Sequence, residues 1–117
     1  MGKCRELDKR KYYAKKNAQG SHTRDDIQQK VEQQKHRCAY CSVKLQCDGA
    51  GKYHTDHIKP LCQHGSDNIE NIVLTCPKCN LSKGTKTLGE WSIFLEKHNQ
   101  LSNVIASNIR KVIASLK

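Results

Sequence analysis

Cys38-Ala39-Tyr40-Cys41 and Cys76-Pro77-Lys78-Cys79, separated by 34 residues, bracket the part of this sequence on which the fold depends. Each Cys-x-x-Cys pair can grip a metal ion from a single turn, and the distance between them closes a loop around it. Four thiolates make a complete ligand set for a tetrahedral structural zinc and leave no open position for water. A redox dithiol is the rival reading of such a pair. It calls for a βαβ unit that this sequence lacks, and it gives the second pair no part. Cys4, Cys47 and Cys62 are left over and are read as ordinary free cysteines. Cys47 is an alternative zinc ligand, though it has no close partner.

The totals agree with a metal-stabilised domain. A chain of 117 residues with 36% hydrophobic residues and six aromatics has a thin core, and small domains of that kind commonly add a metal or disulfides. Seven cysteines argue against a closed disulfide set. The first residues are charged rather than apolar, and no run is long enough to span a bilayer. The sequence is therefore expected to work in a reducing, cytoplasmic setting, bacterial or phage, without a membrane. The net charge is +10, from 21 Lys and Arg against 11 Asp and Glu, which suits a polyanionic partner. That excess is uneven: the net is +6 over residues 1–37, +1 over 38–83 and +3 over 84–117.

Working outward, Val43 and Leu45 alternate with polar residues as in a short strand, and Asp48-Gly49-Ala50-Gly51 forms a loop. Tyr53 to His57 reads as an extended run stopped by Pro60. Gly65-Ser66-Asp67-Asn68 is a turn, and Asn71 to Thr75 is a β-branched strand. Pro77 suits the first turn of a helix that Gly84 ends. On the N-terminal side, Ser21 to Arg37 is predicted helical, with Thr23 and Asp26 close to a capping box. Residues 1–20 form a basic arm, in which Lys15 and Lys16 are placed to track phosphates; a solvated terminus is the alternative. On the C-terminal side, Thr87 and Glu90 cap a helix carrying Trp91, Phe94 and Leu95. Asn103 to Leu116 makes a last amphipathic helix. The organisation expected is an arm over 1–20 and a domain over 21–117, with its core at 38–84 and packing helices at 87–117.

Thr55-Asp56-His57 ends a strand inside the metal-closed loop. A phosphodiester hydrolase needs a hard cation and a base for water. Magnesium takes one or two oxygen ligands from protein, which the Asp56 carboxylate and the Asn80 amide would supply. His57 is suited to accept the proton, since its ordinary pKa lies near neutrality. His54, two residues before Asp56, shares its face of an extended strand and is placed toward the metal or a phosphate, a surface imidazole being the alternative. His22, His36, His64 and His98 are read as surface residues.

Cys-x-x-Cys, Asp-His-x-x-Pro and Asn-Ile-Val-Leu-x-Cys-x-x-Cys-Asn-x-x-Lys together resemble the HNH endonucleases, over roughly residues 21–84. The resemblance implies an α+β fold: a small ββα-metal core, here closed by a Cys4 zinc and flanked by N- and C-terminal helices. It makes Asp56 a metal ligand, His57 the general base and Asn71 the brace of the base-carrying loop. Asn80 stands where many members carry a final histidine, so this would be a His-Asn-Asn variant, and Lys83 matches a basic position near the substrate phosphate. The activity implied is magnesium- or manganese-dependent hydrolysis of DNA, nicking or cleaving the duplex to 5′-phosphate and 3′-hydroxyl ends. The partner is DNA, with no small-molecule substrate, and the chain is a monomer or weak dimer. The alternative is a non-catalytic zinc-ribbon-like module that binds nucleic acid. It shares the cysteines and basic flanks but has no use for Asp56, His57, Asn71 and Asn80.

Overall fold

A computed structural model describes residues 19–116; nearly all of the basic arm, including Lys15 and Lys16, lies outside them. Helix α1 spans Arg24–Gln33 and opens on a true capping box, with the Asp26 amide donating to Thr23 Oγ1 and the Thr23 amide to Asp26 Oδ2. It is shorter than the 21–37 expected. Lys35 and His36 both take positive φ, at 56° and 59°, which ends the helix without a glycine. Val31 is its buried anchor.

The chain then turns through Cys38–Cys41. The strand expected at Val43–Leu45 is reduced to an isolated bridge between Arg37 and Lys44, because Ser42 at φ 66° bends the backbone there. Strand β1 (His54–His57) pairs antiparallel with β2 (Ile72–Thr75), in the register His54↔Thr75 and Asp56↔Val73. Helix α2 (Pro77–Lys83) follows at once, with Cys76 as its N-cap and proline in its first turn. These three elements are the ββα unit expected from the sequence.

The outer edge of β2 does not stand open. Leu74 donates its amide to Gln34 Oε1 at 2.9 Å, and its carbonyl accepts Gln34 Nε2 at 2.8 Å and the Ala39 amide at 3.0 Å. One carboxamide side chain thus occupies the place of a neighbouring strand.

Helices α3 (Leu88–Lys97) and α4 (Asn103–Ser115) complete the fold; α3 opens on the Thr87–Glu90 capping box. Their apolar faces supply Leu88, Trp91, Leu95 and Ile109 to a core shared with Val31, Tyr40, Leu45, Ile58, Ile72 and Leu74. Each fully buried aliphatic side chain contributes about 1.5–3 kcal/mol. The Trp91 ring meets Tyr40 edge-on at 5.0 Å, and Asn108 Nδ2 donates to the Tyr40 carbonyl at 2.7 Å, so α3 and α4 both clamp the Cys38–Cys41 turn. No helix among the described residues is long and apolar enough to cross a membrane.

Candidate active site

The four cysteines come together although they arrive from two distant turns. Their Sγ atoms all lie within 4.8 Å of one another, with Cys41 and Cys76 at 3.6 Å. Zinc–sulfur bonds of about 2.3 Å place the sulfurs of a tetrahedral site about 3.8 Å apart, so the cluster fits such an ion. The hydrogen bond shared with Cys79 draws Cys38 down to about 4 and drives Cys79 well up, while burial pushes Cys41 up to about 11. Four thiolates this close together therefore need a cation to coexist.

Beyond the cluster, a cleft of about 180 Å³ gathers Asp56, His57 and Asn80, along with Thr55, Pro60, Cys62 and Thr85. The strand period of two sends His54 and Asp56 toward α2. His54 Nδ1 meets Asn80 Oδ1 at 3.1 Å. Asp56 is only 3% exposed. Its Oδ2 accepts the Tyr40 hydroxyl at 2.8 Å, and Lys83 Nζ stands 3.2 Å from the same oxygen. Burial raises the Asp56 carboxyl above its ordinary value, against the pull of Lys83 and Tyr40.

Lys83, expected near the substrate phosphate, packs against Asp56 inside the protein. It is 0% exposed, and it also donates to the His57 carbonyl at 2.9 Å. The reason is electrostatic: a carboxylate taken out of water requires a counter-charge, and the face that α2 turns to β1 supplies it. Lys83 thus contacts the carboxylate from the protein side.

Asn71 is buried and engages both ends of its amide. It donates to the carbonyls of Lys59 at 3.0 Å and Ser66 at 2.7 Å, and accepts the Lys59 amide at 2.9 Å. The loop from Lys59 to Ser66 is strapped as a result. Gly65 permits this closure, because a Cβ there would collide with the Lys59 carbonyl oxygen. His57 Nε2 lies 2.7 Å from Asp67 Oδ1. His22 is half-buried rather than a surface residue, with Nδ1 2.8 Å from the Asp67 carbonyl. His36, His64 and His98 are exposed, as is Cys47, whereas Cys62 lines the cleft.

Next to His54 a wider groove of about 770 Å³ is lined by Arg24, Gln28, Lys52 and Tyr53. Sequence reasoning missed these residues, and also Tyr40 and Asp67. Tyr40 offered a faint signal as an aromatic residue within the Cys38–Cys41 turn. Asp67 read only as a turn residue.

Comparison with known proteins agrees with this geometry. Residues 38–86 match the family model of the HNH endonucleases. The CRISPR-associated endonuclease Cas9 of Corynebacterium diphtheriae is 37% identical over 81 residues, which cover 67% of this chain and 7% of that protein. The Type II-C Cas9 enzyme from Actinomyces naeslundii superposes on 97% of this chain and 13% of its own, with a TM-score of 0.52 and 16% identity, a likeness of fold. This chain therefore spans a small fraction of the relatives it matches. With the ββα unit, the paired cysteines and the Asp56-His57 strand end all falling inside the match, residues 38–86 belong to the HNH endonuclease family.

Proposed function

We propose that the chain is a metal-dependent DNA endonuclease that hydrolyses phosphodiester bonds to 5′-phosphate and 3′-hydroxyl ends. The observation that carries this reading is the cleft that joins Asp56, His57 and Asn80 above the cysteine-closed ββα unit. Cys38, Cys41, Cys76 and Cys79 hold a structural zinc. The oxygen donors of Asp56 and Asn80 suit magnesium or manganese. Such an ion, when bound, supplies charge that stabilises the phosphate and its leaving oxygen.

The chain's own groups perform the remaining tasks. His57 takes the proton of the attacking water. Asn71 holds the following loop closed, and Lys83 with Tyr40 fixes the Asp56 carboxylate. Arg24 and Lys52 offer phosphate contacts along the groove beside His54, and Tyr53 offers a face for a base or sugar. Lys15 and Lys16, in the arm over residues 1–20, offer further phosphate contacts beside those of the domain over 21–117. Reduced thiols suit an intracellular setting.

The test is cleavage of supercoiled plasmid with and without magnesium, beside calorimetric magnesium titration in the presence of DNA. His57→Ala should keep zinc and magnesium binding and lose about 10²–10⁴-fold in rate. Asp56→Ala should lose cleavage and magnesium binding together. If His57→Ala cleaves at the parental rate, the base lies elsewhere. If the native chain binds DNA but never cleaves it, the non-catalytic zinc-ribbon-like reading replaces this one.

A further inference from the structure

We infer that Asp67 is a positioning residue for His57, and that His22 and the segment 19–22 hold Asp67 in place. This rests on the reading of His57 as the base. The 2.7 Å contact between His57 Nε2 and Asp67 Oδ1 has the length of a charge-assisted hydrogen bond. Each side chain is 19% exposed, so water competes weakly for the bond. A carboxylate can only accept, so Nε2 carries the proton and donates it. The lone pair is then fixed on Nδ1, the nitrogen left to take a proton.

Asp67 is itself held on several sides. Its amide donates to the Gln19 carbonyl at 2.8 Å, and its carbonyl accepts His22 Nδ1 at 2.8 Å. Next to it, Asn68 Oδ1 accepts the Ser21 amide at 3.2 Å. Gly20, at φ +87°, lies so close to the Asn68 side chain that a Cβ would clash with it. All four residues of this strap precede Cys38, where the match to the family begins. Asp67 lies within that match, whereas the segment that holds it does not.

In the reaction, a water O–H bond breaks and its proton passes to Nδ1. The water oxygen bonds to phosphorus as the P–O3′ bond breaks, and O3′ takes a proton from solvent. The imidazolium keeps its Nε2–H on Asp67, whose charge stabilises it.

The experiment reads the tautomer directly. Long-range ¹H–¹⁵N correlation spectra are recorded on the zinc-loaded full chain without DNA, above the ordinary imidazole pKa of about 6.5, with His57 assigned by comparison with His57→Ala. Native protein should show His57 protonated on Nε2. Asp67→Ala should give a mixture of tautomers, and Asp67→Asn, which keeps the acceptor oxygen, should restore the native form. In the plasmid assay, Asp67→Ala should lower kcat about 10–100-fold with DNA affinity unchanged. His22→Ala should move both readouts in the same direction and less far. Zinc content and far-ultraviolet circular dichroism establish that the variants are folded, and Asp67→Asn keeps the test decisive should Asp67→Ala fail to fold. An unchanged His57 tautomer in folded Asp67→Ala overturns the inference, as does a changed tautomer with unchanged kcat. A native chain that cleaves nothing overturns the nuclease reading instead, while the spectra still report the His57–Asp67 bond.

Discussion

Replacing Lys83 with methionine should destabilise the fold far more than a lysine substitution normally does. Lys83 is 0% exposed and Asp56 3%, so the change leaves a nearly buried carboxylate with the Tyr40 hydroxyl but without the Lys83 counter-charge. Contacts to Asp56 Oδ2 at 3.2 Å, Asp56 Oδ1 at 3.3 Å and the His57 carbonyl at 2.9 Å are lost together. Removing one partner of a buried pair costs about 3–5 kcal/mol. A domain this size has roughly 6–18 kcal/mol in all, so the loss is a large fraction. At about 4–8 °C per kcal/mol, Tm should fall by at least about 12 °C. Urea unfolding of zinc-saturated, magnesium-free protein, followed by the fluorescence of the buried Trp91, would measure it. The deficit should also depend on pH in a definite sense. Asp56 already sits above its ordinary value, and losing Lys83 raises it further. A raised folded-state pKa favours folding below the unfolded value and disfavours it as pH climbs through the folded one. The variant should therefore recover relative to the parent in acid, and Asp56→Asn combined with Lys83→Met should cost less than the two single changes added together. A loss below about 1 kcal/mol, or a deficit that does not shrink in acid, would refute a buried, charged pair.

Three further outcomes are expected. Elemental analysis should find one zinc per chain, and Cys76→Ser should abolish both the zinc and the folded circular dichroism spectrum, since binding and folding share one free energy. Asn71→Ala leaves the Lys59 and Ser66 backbone groups without partners and should cost about 1–3 kcal/mol, with hydrogen exchange rising across residues 59–66; unchanged exchange there would remove Asn71 as the strap. Deleting residues 1–18 should flatten the plot of log DNA affinity against log salt by about one unit for each phosphate that the arm no longer neutralises, and an unchanged slope would make those residues a solvated tail.

What could be read from the sequence was local or fixed by spacing. The Cys-x-x-Cys pairs, the strand ending in Asp56-His57 and the two Thr-capped helices each declare themselves within a few residues, and all are present. Helix α1 was overextended because nothing at Gln34 announces the positive φ of Lys35 and His36. The partners of the candidate site were hidden for another reason. Tyr40 reaches Asp56 across 16 residues, and His22 reaches Asp67 across 45. No periodicity encodes such pairings. The burial of Lys83 was not legible either, because only the buried carboxylate opposite makes it favourable.

The Gln34 carboxamide on Leu74 has a consequence for how chains behave in a crowd. A two-stranded sheet has two edges, and its outward amides and carbonyls are templates on which another molecule's strand can assemble. β2 is four buried apolar or β-branched residues, the composition that cross-chain stacking favours. With its amide taken by Gln34 and its carbonyl by Gln34 and the Ala39 amide, Leu74 offers an incoming strand no ladder to extend. Gln34→Ala is therefore expected to scatter light sooner than the parent as concentration rises, and equal turbidity would show that the edge needs no such cover.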